Sequence, residues 1–263
     1  MPELPDVEGF RRIMTRHGTG KPIRRVEVRD SRSLRNVRPS HFSRRLKGRE
    51  FRRPDRKGKW LLAHTDGPTV LLHFGMTGGL SWERRGTPLH THDRVIFGFE
   101  DGELRFRDMR KLQGIWLAES EDSVARILGH QGPDALAIDR RQFDERLQRR
   151  RGRVKPVLMN QRVIAGLGNL LVDEILWQAR IHPQRRTDDL RAVERSRIYQ
   201  VMRRVLHESV PSGYVPGKRG WLTAARAAGA NAVCPRCHSG LSRGMIGGRT
   251  SYWCPRCQPA TRH

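Results

Sequence analysis

Residues 157–183 read VLMNQRVIAGLGNLLVDEILWQARIHP, and this stretch decides the fold of the second half of the chain. Val172, Ile175, Leu176 and Ala179 recur at helical spacing and make one apolar face. Ahead of them, Gly166 and Gly168 permit a tight turn with close backbone approach. Asn169 stands where a side chain caps the helix that follows. A helix N-terminus beside glycines offers bare amides to a phosphate, and Lys155 lies just upstream to add charge. The same residues suit an ordinary connection between two core helices, and the stretch by itself leaves both readings open.

Outward from this turn, the helical period runs from about residue 139 to Val210. Phe143 and Leu147, then Val157, Leu158 and Ile164, precede the turn; Leu190, Val193, Ile198, Val201 and Val205 follow it. Residues 119–138 have a mixed pattern broken by Gly129, Gly132 and Pro133, as a linker would. Before them come short apolar runs: Ile23 to Val28, Trp60–His64, Val70–Phe74, Val95–Phe99, Leu104–Phe106 and Ile115–Leu117. Asp66-Gly67 and Asp101-Gly102 lie between successive runs, a strong hairpin signal. Residues 5–17 read as a helix with Asp6 and Glu8 in its first turn, where the helix dipole favours anions, and Gly18 and Gly20 end it. The expected fold class is α+β. An antiparallel β-sandwich with a leading helix spans 1–118, a linker 119–138, a helical domain 139–212, and a loop with a cysteine-bearing tail 213–263.

All four cysteines lie in that tail, as Cys234-x-x-Cys237 and Cys254-x-x-Cys257. Two such knuckles fit a tetrahedral zinc site. With every position filled by thiolate there is no place for a catalytic water, so one structural Zn²⁺ per chain is expected. The loop between the knuckles reads as a hairpin that holds Arg249 outward. Disulfides are disfavoured, because the rest of the chain has no cysteine.

The other terminus reads Met-Pro-Glu-Leu-Pro-Asp-Val-Glu. Once Met1 is removed, Pro2 is a free secondary amine beside Glu3. An α-amino group has a reference pKa of about 7.7–8.0, so it needs far less tuning than lysine to attack an electrophilic carbon. Composition sets the partner. Lys and Arg total 52 against 27 Asp and Glu, a formal charge of +25 spread along all 263 residues. Such a surface attracts polyphosphate, and counterion release adds sequence-independent affinity. No apolar run approaches the ~20 residues of a membrane span, and Glu3, Asp6 and Glu8 stand where a secretory leader would be apolar. A cytoplasmic, nucleoid-associated protein is expected.

Together these pieces resemble the formamidopyrimidine-DNA glycosylase family. PELPDVEGFRR (2–12) is similar to that family's opening, residues 157–183 to its helix-two-turn-helix element, and GGRTSYWCPRCQ (247–258) to its zinc-finger hairpin. The resemblance implies a monomeric DNA glycosylase and abasic-site lyase that acts on double-stranded DNA bearing a damaged base or abasic site. Pro2 would attack the sugar, and β/δ-elimination would follow through the Schiff base. Glu3 would be the general acid/base. Lys59, favoured over Lys57 by its Lys-aromatic-Leu-Leu context, would contact phosphate and assist β-elimination, and Arg249 would grip phosphate for the δ step. His90, Arg110, Arg150, Lys155 and Asn169 match DNA-contact positions, and Met76 matches the side chain that fills the void left by a flipped nucleotide. A non-catalytic damage-binding protein of the same fold is the alternative, though Pro2 and Glu3 are both retained; a zinc-ribbon factor would leave the N-terminus unexplained.

The chain departs from the family at three places. Arg110-Lys111-Leu112-Gln113-Gly114 puts Leu112 where an aromatic intercalator is usual. The stretch Ser212–Val233 is shorter than the Gly/Thr-rich loop of members that act on 8-oxoguanine, which opens the substrate to oxidised pyrimidines or another lesion. Asp6 replaces a glutamate.

Overall fold

The computed structural model describes residues 1–260 and divides the chain into two units, Met1–Pro2 with Asp6–His130, and Glu3–Pro5 with Gln131 onward. The first unit is a sandwich of two four-stranded antiparallel sheets. One has the order β1-β6-β7-β5, from Arg25–Val28, Asp93–Gly98, Gly102–Arg107 and Gly79–Arg84. The other has the order β2-β3-β4-β8, from Asp55–Lys57, Trp60–Ala63, Thr69–His73 and Ile115–Ala118. Both Asp-Gly pairs fall in hairpins, between β3 and β4 and between β6 and β7. Leu61, Ala63, Val70 and Leu72 of one sheet meet Val95, Phe97, Leu104 and Phe106 of the other in a single core. Two helices, α1 (Leu4–His17) and α2 (Pro39–Leu46), add Val7, Met14, Phe42 and Leu46 to it.

All four residues of β3 are buried. Alternate side chains of a strand point to opposite faces, so the far face must also be covered. A third helix, α3 (Glu121–Leu128), covers it: Trp60, Leu62 and Leu71 pack there with Val124. This corrects the linker expected over 119–138. Ser120 caps α3 through a reciprocal bond pair with Ser123, and the division between units falls after His130.

The second unit holds α4 (Arg140–Gln148), α5 (Val154–Met159), α6 (Asn169–Gln178), α7 (Ala192–Ser209) and the short α8 (Leu222–Ala225). Its tail is a hairpin of β9 (Ser242–Ile246) and β10 (Arg249–Trp253). Helix α6 is central, with Leu171 to Trp177 all buried, and its apolar residues pack on Ile198, Val201, Met202 and Val205 of α7. Val193 was expected on that face but is 62% exposed: helical spacing turns it away from Ile198, Met202 and Val205, while Glu194 and Arg195 of the same turn are buried. Leu4 belongs to this core, which anchors the chain's first residues here.

Candidate active site and metal centre

Glu3 is fully buried in the second unit. Its Oε1 accepts from the Leu170 amide at 2.7 Å and its Oε2 from the Leu171 amide at 3.1 Å. The carboxylate thus caps α6, satisfying two amides that a helix start leaves without partners at the positive end of the dipole. The glycines of the Gly-Leu-Gly-Asn turn exist for this approach. A Cβ on Gly168 would lie 2.3 Å from Glu3 Cδ, and one on Gly166 would lie 2.5 Å from Leu4 Cδ1. The Leu4 amide also donates to the Gly166 carbonyl at 3.1 Å. Gln161, which the sequence reading missed, holds the loop from below by accepting from the Gly166 amide and donating to the Met159 and Leu167 carbonyls. Only its position in a turn of small residues could have marked it.

Of the readings left open for this turn, the structure shows the anion at the α6 N-terminus to be Glu3. Asn169 is not the cap. Gly168 holds that position, and Asn169 is the first helical residue, with Nδ2 donating to the Thr250 carbonyl at 2.9 Å. Its Oδ1 is buried without a partner among the described residues. Lys155 is fully buried, its Nζ 2.5 Å from Asp173 Oδ1 and 2.5 Å from Ser251 Oγ. Arg226 and the Tyr252 amide close on the other Asp173 oxygen. Burial pushes the Asp173 carboxyl up and the Lys155 ammonium down, and their mutual attraction opposes both shifts. Lys155 therefore holds α5, α6 and β10 together and does not reach out toward phosphate, while Arg150 at the end of α4 is exposed.

In the first unit Lys59 sits half-buried in the β2–β3 turn, and Lys57 is exposed. The turn is pinned from α1: Glu8 accepts from Arg56 Nε at 3.0 Å, and Arg56 Nη1 donates to the Gly58 carbonyl at 2.9 Å. His73 on β4 is pushed down to about 4, by burial first and the nearby Lys59 charge second. Met76, Arg110 and Leu112 lie on two braced loops of this unit. Thr77 Oγ1 donates to Asp108 at 2.6 Å and accepts from the Arg110 amide at 3.0 Å, and Arg110 Nη1 reaches Met76 Sδ at 3.3 Å. Lys111 reaches Asp30 at 3.2 Å, and Arg35 donates to the Lys111 and Gln113 carbonyls. On this scaffold Met76, Leu112 and Met109 are 36%, 49% and 52% exposed. Apolar tips held rigidly among cations suit insertion between bases. Met109 and the bracing Asp108 went unread in the sequence; two apolar residues flanking the basic pair Arg110-Lys111 are the signal that could have found them. His90 is also exposed, its amide held by Asp93 at 2.9 Å.

The four cysteines converge, with all sulfur atoms within 4.8 Å of one another. Cys234 and Cys257 are 3.9 Å apart, and Cys237 and Cys254 3.5 Å. Tetrahedral zinc with bonds of about 2.3 Å requires sulfur separations of about 3.8 Å, so the donor set fits that ion. The Trp177 indole donates to Cys234 Sγ at 3.4 Å, and Gln258 ties the last knuckle to the Ile181 carbonyl. Arg249 is exposed at the start of β10, and Gly247 beside it lies against Pro156 of α5.

The formamidopyrimidine-DNA glycosylase N-terminal domain family matches residues 1–115, and the H2TH domain family of the same enzymes matches residues 130–216. A formamidopyrimidine-DNA glycosylase of Desulforamulus reducens is 34% identical over 99% of this chain and 100% of its own length. That of Acidothermus cellulolyticus is 35% identical over 100% and 99%. Among solved structures, a Lactococcus lactis Fpg complex with abasic-site DNA superposes with a TM-score of 0.88 at 26% identity, covering 98% of this chain and 100% of that one. A complex of the same protein with oxidised-pyrimidine DNA gives 0.89 at 27% identity with the same coverage. No helix among the described residues is long and apolar enough to cross a membrane.

Proposed function

The chain belongs to the formamidopyrimidine-DNA glycosylase family, and from that premise we propose how its residues divide the work. It is a base-excision-repair enzyme, a DNA glycosylase and abasic-site lyase whose partner is damaged duplex DNA. The observation that carries the assignment of roles is Glu3, buried and held at both oxygens by α6. It fixes the residue bonded to Pro2, so the nucleophile is presented from a rigid element and not from a free terminus.

With Met1 gone, the Pro2 nitrogen attacks C1′ of a nucleotide flipped out of the stack. The bond from C1′ to the base breaks, and the departing base takes a proton. The C1′–O4′ bond then opens, O4′ takes a proton, and the nitrogen lone pair turns the N–C1′ bond into an iminium; this acidifies C2′, whose proton is removed as the 3′ phosphate leaves by β-elimination. The Glu3 carboxylate, held on the α6 amides beside Pro2, relays the protons this sequence moves. Lys59 meets the phosphate on the eliminating side, and Arg249 grips the phosphate for the δ step. Met76 and Leu112 fill the vacated stack, Arg110 faces the widowed base, and His90, Arg150 and Asn169 hold the flanking backbone.

The four cysteines hold one structural zinc, which fixes the base of the hairpin bearing Arg249. The catalytic sandwich spans 1–118 together with α3, the helical DNA-binding part extends to 212, and the cysteine module follows. The enzyme works as a monomer beside the chromosome, in the cytoplasm. Borohydride trapping tests the chemistry. A duplex with an abasic site should give a covalent complex with the protein whose N-terminus is Pro2, and none with a chain extended by one blocked residue. Equal trapping by both would defeat the role of Pro2.

A further inference from the structure

Where α6 ends and the cysteine knuckles begin, Arg180, Arg197, Arg236 and Arg256 line an open cavity of about 580 Å³ together with Cys237, Cys257 and Pro259. No acidic side chain lines it, and among the described residues none of the four guanidinia has a carboxylate partner. Two of them are held in ways that a plain surface charge is not. Arg236 stacks over the Trp177 ring at 4.5 Å and donates to the Trp177 carbonyl at 3.4 Å. Arg197 has its Nε buried without a partner among the described residues, which a native structure rarely tolerates unless something else supplies the acceptor. Arg180 takes its left-handed backbone, φ 57°, as the residue that ends α6, where the Ile181 amide donates to the Leu176 carbonyl at 2.9 Å and the Arg180 amide to that of Trp177 at 3.1 Å, and this places its side chain at the cavity.

The geometry points to a second phosphate-binding site at these four arginines, separate from Arg249. Strand β10 runs from Arg249 to Trp253, immediately before Cys254, and five residues of strand span about 17 Å. The site and Arg249 are therefore at opposite ends of the hairpin. A zinc ion held by four thiolates carries two net negative charges, which offset only half of the four guanidinium charges. The remainder, in planar forks suited to bidentate phosphate contact, recognises a phosphodiester of the duplex away from the lesion or a free phosphate anion. Only the choice of the duplex rests on the function proposed above.

The test uses the full-length, zinc-loaded protein with Arg180→Asn and Arg256→Gln combined. Both residues are exposed, and Asn tolerates the left-handed backbone. Anisotropy of an undamaged duplex is followed against salt, and thermal melting is followed against inorganic pyrophosphate. Loss of about 0.9 from the logarithmic salt slope per missing phosphate contact identifies the duplex backbone as the source. An unchanged slope, with a pyrophosphate-induced rise in melting temperature that the variant loses, identifies a free phosphate anion. If the variant matches the parent in both, the site is overturned. Borohydride trapping on a short abasic duplex, expected to be equal for variant and parent, reports separately on the catalytic assignment.

Discussion

Gly168 shows how narrowly one residue sets this active site. Its backbone is extended, φ −129° and ψ −165°, a conformation open to any residue, so alanine there adds no backbone strain. What it adds is a methyl 2.3 Å from Glu3 Cδ. Gly168→Ala must therefore push Glu3 off the Leu170 and Leu171 amides. The expected result is a stability loss of about 1–3 kcal/mol, the usual cost of overpacking. Excision should fall by about 10²-fold, as a displacement near 1 Å at a reacting group produces. Urea unfolding and single-turnover excision measure the two effects. A stability loss with unchanged excision would detach Glu3 from the reaction. The residue types were legible in the sequence; their use was not. A helix N-terminus attracts any anion, and nothing local says that the anion comes from a residue 167 positions away.

At the scale of elements, buried Lys155 joins three of them. Removing one member of a buried ion pair costs about 3–5 kcal/mol when the other charge is left uncompensated; Arg226 and the Tyr252 amide still hold Asp173, so the cost here lies below that range. Lys155→Met should lower the melting temperature through Asp173, and leave the salt slope of duplex binding unchanged. A phosphate-contacting lysine would give the reverse pattern, a stable protein with a slope reduced by about 0.9. On β4, His73 makes stability depend on pH. It titrates near 6.5 when unfolded and is pushed down to about 4 when folded, so between these values the unfolded chain binds the extra proton. Its contribution is complete above pH 6.5 and is lost as pH falls toward 4, by no more than about 1.4 kcal/mol per unit. His73→Gln should flatten that limb in urea titrations from pH 4 to 7; an unchanged limb would assign it elsewhere. The strands that the sequence revealed are those with short apolar runs, β1, β3, β4, β6, β7 and β8. It hid β2, whose residues Asp55-Arg56-Lys57 are all charged, and α3, whose Ser120–Ser123 cap lies next to the glycines that read as a linker.

For the whole molecule, the division into two units decides what metal removal does. No cysteine lies in the first unit, whose core is closed by two sheets and α1 to α3. The cysteine module instead shares a small core with α6, where Trp177, Leu222, Ala232 and Tyr252 pack around Cys234 and Cys254. That cluster is too small to stand without a staple, and the metal that fits it would supply one, because binding free energy at such a site is folding free energy. Chelation should therefore free the β9–β10 hairpin and weaken duplex binding as Arg249 loses its mounting. The sandwich should stay folded. Tryptophan reports on both parts: Trp60, Trp82 and Trp116 lie in the first unit, and Trp177, Trp221 and Trp253 in the second, where Trp177 touches the cysteine cluster through its indole N–H. The fluorescence change on chelation should shrink in Trp177→Phe and vanish only when Trp253 of β10 is replaced as well, while the strand signal of the sandwich in circular dichroism survives in every variant. Collapse of the strand signal in step with metal loss would mean that the two units fold as one and would refute their independence.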